Sequence, residues 1–129
     1  ANFSELLDIE PSKNKFDRTT MTDNMYIDEN GNVITEEESE GAKAYITSDY
    51  IFCSNVNMTI SSTAAAITSY KYRISVYSSN KVWLRRILAT TDDYTINGVK
   101  NYYIRITFEK ARNTDYSSVQ VEQGTEKTD

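Results

Sequence analysis

The chain is 129 residues long, carries a net charge of −5 and is 39% hydrophobic. That length is one domain's worth and can bury roughly two-thirds of the surface its unfolded chain exposes. No apolar run approaches about 18 residues, nothing resembles a signal peptide, and an acidic chain lacks the basic stripe a nucleic-acid binder needs.

The first predicted element is helical. Phe3, Leu6 and Leu7 fall at helical spacing behind a capping Ser4, and Pro11, the only proline, ends the run. About two turns cannot hold a helix alone. Residues 1–12 are therefore expected to be a linker, a strap or the end of an upstream segment, and residues 13–129 one module.

Beyond it the period is two. "NMYID" and "NVIT" flank Glu29-Asn30-Gly31, and Asn-Gly is a strong hairpin signal because both residues tolerate positive φ. The acidic run "TEEESE" after it reads as a solvated loop. "AYITSDYIF" and "VNMTI" follow as strands, then a small-residue loop, "SSTAAAITS", then "YKYRISVY", "VWLRRIL", "DYTI", "NYYIRITFE" and "SVQVEQ". Asn97-Gly98 and the stretch 112–115 supply turns. Short strands at near-regular spacing, with no alternating helices, predict an all-β antiparallel sandwich or jelly roll. Ten tyrosines agree with that class.

Alternation divides the faces. Tyr102, Ile104, Ile106 and Phe108 oppose Tyr103, Arg105, Thr107 and Glu109; Tyr70, Tyr72, Ile74 and Val76 oppose Lys71, Arg73, Ser75 and Tyr77; Val119 and Val121 oppose Ser118, Gln120 and Glu122. The "VWLRRIL" strand depends on the parity of the "SSNK" turn. An even loop pairs Trp83 with Val76 in the core, drags Arg85 inward and sets Arg73 against Arg86. An odd loop puts Val82 and Leu84 inside and leaves Trp83 and Arg85 on the outer face. The cost of burying charge favours the odd loop. Arg73, Tyr77, Trp83 and Arg85 then form a polar-aromatic platform, extended by Tyr103 and Arg105 if their strand joins the same sheet. Aromatic rings cover the apolar C–H face of a pyranose, and guanidinium groups meet its hydroxyls or acidic groups. The plainer alternative makes the tyrosines amphipathic edge residues and pairs Arg105 with Glu122 or Glu109.

Catalysis and metals find little support. The chain has one cysteine, Cys53, and no histidine, so an internal disulfide, a thiolate metal cage, the usual general base and the usual triad partner are all missing. "DENGN" places Asp28, Asn30 and Asn32 at alternate positions, but Val33 and Ser39 stand where a calcium loop needs glycine and glutamate. Asp92 with Asp93, or Glu109 with Glu122, are the candidate paired acids, and glycan hydrolysis is the best enzymatic form they allow. No catalytic residue, metal or cofactor is expected. Asn57-Met58-Thr59 and Asn2-Phe3-Ser4 are formal glycosylation triplets.

Several segments, in order, resemble one family. "NKFD" resembles the opening Asn-Leu-Phe-Asp of small β-sandwich modules in tail and baseplate proteins of phages infecting Gram-positive bacteria. "MYIDENGNVI" resembles their first hairpin, and "SDYIFCSN" their Ser-Asp-Tyr-Ile-Pro-Val, with Phe52 in the proline's place. "YRISVYSSNKVWL" is similar to their Tyr-Asp-Ser-Asn-Lys segment, with Ser78 for aspartate. "NYYIRITF" and "VQVEQGTEKTD" are similar to Lys-Tyr-Ile-Arg-Ile-Ser-Phe and the closing Val-Gln-Leu-Glu-x-Gly-x-x-x-Thr. The likeness spans residues 14–129. It implies a jelly-roll-like antiparallel sandwich, a non-enzymatic accessory module at a phage or prophage tail tip that binds cell-surface or cell-wall glycans. Other domains of the parent tail protein and a homotrimer formed through it are the implied protein partners, and the virion or the bacterial surface the implied location. Gln120 and Glu122 of the closing motif are expected to be structural. Neither nucleic acid nor membrane insertion is expected. The alternative function is a structural or oligomerising spacer with no ligand of its own.

Overall fold

The computed structural model describes residues 14–54, 57–62, 72–91, 93–97, 100–111 and 118–124. The helical strap, the Asn2 triplet, most of the small-residue loop, Gly98, Asp92 and the turn at 112–115 lie outside these residues.

In chain order the described strands are β1 (Thr22–Asp23), β2 (Met25–Ile27), β3 (Val33–Thr35), β4 (Tyr45–Thr47), β5 (Ile51–Cys53), β6 (Met58–Ser61), β7 (Tyr72–Ser78), β8 (Trp83–Ala89), β9 (Asp93–Ile96), β10 (Tyr102–Glu109) and β11 (Gln120–Gln123). Every pairing is antiparallel. The large sheet runs β1-β4-β10-β7-β8, with β5 following β4 along the same edge of β10; the small sheet runs β9-β6-β11. From β5 onward the chain crosses repeatedly between the two sheets, giving an antiparallel sandwich.

The alternation foreseen in β7 and β10 sets the core. Tyr72, Ile74, Val76, Ile104, Ile106 and Phe108 are buried from the large sheet, and Met58, Ile60, Ile96, Val119 and Val121 face them from the small sheet side. Tyr72 and Phe108 meet edge to face at 6.2 Å, and the buried Tyr72 hydroxyl donates to Ser62 Oγ at 3.0 Å. A buried hydroxyl without such a partner would cost about 1–3 kcal/mol.

Residues at the two ends of the described chain are tied together. Asn14 Nδ2 donates to the Val119 carbonyl at 3.0 Å, its Oδ1 accepts from Val121 N at 2.8 Å, and Lys15 N donates to the Val121 carbonyl at 2.8 Å. Phe16 then turns its ring edge-on to Phe108, 6.0 Å away. The "NKFD" stretch therefore pairs with the strand of the "VQVE" stretch, which closes the sandwich.

The β2–β3 hairpin forms as the Asn-Gly signal predicts, but it packs as a further layer on the outer face of the large sheet. Its Met25 and Ile27 are buried, and Thr47 Oγ1 donates to the Met25 carbonyl at 2.6 Å while lying 3.0 Å from Thr107 Oγ1. Asp28 closes the turn by accepting from the backbone N–H groups of Asn30 (2.8 Å) and Asn32 (2.9 Å). The donors, Asn32 first, hold its carboxyl below the usual range. The "DENGN" residues are thus consumed by the turn. The acidic run is a solvated turn, with Glu36, Glu37 and Glu38 exposed.

The β7–β8 register matches neither simple loop. Tyr77 pairs with Trp83 but Val76 pairs with Arg85, with a bulge between them. Trp83 is thereby outward, as an odd loop requires, while Arg85 is on the core-facing side. Val82 and Leu84 do not enter the core: they are 60% and 55% exposed. One extra residue reverses the pleat part-way along a strand.

Candidate functional site

Five of the six platform residues lie on the outer face of the large sheet. Tyr77 is opposite both Tyr103 and Trp83, Arg105 opposite Ser75, and Arg73 opposite Thr107. Arg85 is the exception, for the bulge turns it to the other face.

Sharing a face does not leave these groups open to solvent. Arg73 is in an ion pair with Glu109 at 3.3 Å, and its guanidinium carbon lies 4.9 Å from the centre of the Tyr45 ring. Arg105 is 9% exposed and donates through Nε to the Ser48 carbonyl at 2.9 Å. Tyr77 is 4% exposed beneath Tyr50, ring centres 5.0 Å apart, and burial pushes its phenol pKa up. Trp83 is capped by the hairpin: a Cβ placed on Gly31 would fall 2.5 Å from its Cγ and Cδ2. The indole N–H is buried without a hydrogen-bond partner among the described residues. The plainer alternative pairs Arg105 with Glu122 or Glu109; among the described residues Arg105 bonds the Ser48 carbonyl, and the Glu109 bridge belongs to Arg73.

Tyr103, half-buried like Arg73 and Trp83, sits in a cluster the sequence did not single out. Phe52 is its cross-strand partner on β5, 48% exposed, with ring centres 5.4 Å apart. Tyr50 meets Tyr103 edge-on at 5.9 Å. Lys81 Nζ lies 4.8 Å from the Tyr50 ring centre and 5.1 Å from that of Tyr103. From below, the Arg105 guanidinium carbon is 4.9 Å from the Tyr50 ring centre. Such cation–ring contacts contribute about 0.5–1 kcal/mol each where exposed.

Two local devices place this cluster. Between β4 and β5, Ser48 bonds β10 three ways: its N–H donates to the Ile106 carbonyl, its Oγ accepts from Ile106 N, and its carbonyl takes the Arg105 bond. The chain then kinks through Asp49, whose Oδ1 accepts from Tyr50 N at 2.7 Å, and Tyr50 is delivered onto the outer face. In the β7–β8 turn, Ser78 Oγ accepts from Asn80 N and Val82 N, both at 3.2 Å. Lys81 takes a left-handed conformation there, φ 64°, which carries its amine over the sheet end. Beside the cluster is a recess of about 420 Å³ lined by Lys15, Tyr50, Phe52, Ser54 and Gln123 among others. Its rings offer stacking surface, and its cation and amide offer hydrogen bonds.

The other motifs fall elsewhere. Glu109 is in the large sheet and Glu122 is buried in the small one, so those acids do not share a site. Thr59 of the Asn57 triplet is 1% exposed, and its hydroxyl donates to the Gly124 carbonyl at 2.7 Å. Cys53 is fully buried, and burial pushes its thiol up to about 12. Among the described residues there is no cluster of three or more potential metal-ligating side chains, and no helix is long and apolar enough to cross a membrane. Comparison with family models, with curated proteins and with solved structures found no match to the chain.

Proposed function

We propose that this chain is a non-catalytic glycan-binding module, and that it binds through the Tyr50–Phe52–Tyr103 cluster with Lys81. The observation that carries the reading is an open aromatic edge with a cation above it. Phe52 is 48% exposed on a sheet face whose other large side chains are mostly engaged. A pyranose can lay its C–H face on such rings while a neighbouring ammonium and amide meet its hydroxyls. The likeness of the ordered segments to phage tail modules supports attachment of a tail-fibre or baseplate protein to host polysaccharide. The repeated crossing between sheets supports the jelly-roll form of the sandwich. On this reading the module works at the virion or the bacterial surface, joined to other domains of a trimeric parent.

The test is binding of the labelled chain to whole Gram-positive cells and to an array of bacterial polysaccharides. Phe52→Ala and Tyr103→Ala should each lose at least about fivefold in apparent affinity, because aromatic stacking is worth on the order of 1 kcal/mol or more per ring. Full binding by the double variant would overturn the assignment.

A second reading, the structural spacer, is favoured by a different patch. Val82 and Leu84 are exposed at the start of β8, and β8 is an edge of the large sheet. Unpaired edges with apolar side chains are where another copy or another domain docks. A tight trimer by light scattering, with no glycan bound, selects that function.

A further inference from the structure

We infer a second ligand site, specific for an anionic sugar or polyol about one ring in size, in the cleft at the open end of the core beside the β7–β8 bulge. The cleft holds about 360 Å³, at the lower end of the range of small-molecule pockets. Val76, Ile96 and Tyr102 bring apolar surface from both sheets, and Leu84 adds to the wall. Arg85 and Lys100 supply its charge, with the amides of Asn97 and Asn101 beside them.

Three features point to an anion. The chain has 19 acidic residues against 14 basic ones, yet no carboxylate among the described residues lines this cleft. Arg85 and Lys100 are exposed, and neither is in an ion pair among the described residues. Arg85 is there because of the bulge, which sets it opposite Val76 on the core-facing side instead of on the outer face. Bulges recur where a side chain has to be re-aimed at a site.

The floor supplies the polyol half. The Tyr102 residue is 7% exposed, and its hydroxyl is buried beside the Cys53 thiol, a weak hydrogen-bonding group, with no N–H or O–H group paired to it among the described residues. A ligand hydroxyl reaching it would satisfy that group, and the amides of Asn97 and Asn101 can both donate and accept. Carboxylated and phosphorylated sugars share this chemistry. The site does not depend on the outer-face cluster, since Tyr102 and Tyr103 point to opposite sides of β10.

The experiment is a titration of the full chain followed by backbone amide shifts, with glucuronate, glucose 1-phosphate, glucose and inorganic phosphate as separate probes. Saturable shifts at Leu84, Arg85, Lys100 and Asn101 are expected with one or both sugar anions, and the tighter of the two tells carboxylate from phosphate. Arg85→Gln and Lys100→Ala should each weaken that binding by about tenfold, and Phe52→Ala should leave it unchanged. Both charges are exposed, so a dispersed spectrum will show that the variants fold. No saturable shift with either sugar anion, equal binding of glucose or of bare phosphate, or an Arg85→Gln variant of unchanged affinity would overturn the inference. Loss of array binding in Phe52→Ala with this titration intact separates the two sites.

Discussion

Gly31→Ala tests the packing of the hairpin on the large sheet, because Gly31 is where the turn touches Trp83. The glycine has φ +85°, a left-handed backbone that costs a residue with a Cβ about 1–2 kcal/mol. The new methyl would also sit 2.5 Å from two indole carbons, against an ordinary carbon contact of roughly 3.5–4.0 Å. Either the indole or the turn must retreat by about 1 Å, and overpacking of that kind costs about 1–3 kcal/mol. The sum is about 2–5 kcal/mol, or about 8–20 °C in Tm for a chain of this size. Urea and thermal unfolding followed by the emission of Trp83, the only tryptophan, read both parts, with a red shift expected in the folded variant. In a Trp83→Ala background the clash with the ring goes, and the cost should fall towards the backbone term of about 1–2 kcal/mol, with only the 3.0 Å approach to the Cβ of residue 83 left to relieve. Gly41→Ala is the control, since its Cβ would meet only Ser39 Oγ at 3.4 Å. A Gly31→Ala chain of wild-type stability and emission would refute the hairpin's placement.

Other consequences follow from buried polar groups. Arg105→Met should lose about 1.5–3 kcal/mol in urea unfolding, because the Ser48 carbonyl loses a charge-assisted bond and Tyr50 its support. Near-native stability would show that bond to be idle. Alkaline stability is set by groups whose protons folding retains: burial raises the pKa of Cys53 to about 12 and also raises that of Tyr102. Between the unfolded and folded values the native state holds more protons, so stability is complete below about pH 9 and falls as pH rises towards 12, by about 1.4 kcal/mol per unit for each such group. Tm measured from pH 8 to 12 checks the slope, and a flat profile contradicts it. In native protein at pH 8 the Cys53 thiol should resist an aromatic disulfide reagent until urea is added; reaction at the rate of a free thiol would contradict its burial.

Alternation carried the fold and failed where a single residue changes the count. Tyr72, Ile74, Val76, Ile104, Ile106 and Phe108 point inward as their period requires. Beyond Val76 the bulge breaks the period, so Arg85 and Leu84 went to the wrong places; parity alone allows no mixed register. The hairpin was legible from Asn30-Gly31, but its docking over Trp83 was not, because nothing local fixes which face a hairpin covers. In the sequence Tyr50 reads only as a member of a strand, and Phe52 as a strand residue standing in a proline's place. Phe52 shares a face with Tyr103 because β5 pairs β10, a contact between distant segments that no short pattern encodes. Lys81 reached the rings through a left-handed turn residue, and "SSNK" gives only the turn.

Shift mapping with a polysaccharide selected on the array tests the proposed glycan site most directly. Amide and aromatic signals of Tyr50, Phe52, Lys81 and Tyr103 should move together and saturate, with those of Arg73 and Trp83 little changed. Shifts confined to Val82, Leu84 and the β8 edge, or none at a polysaccharide concentration that coats cells, would contradict it.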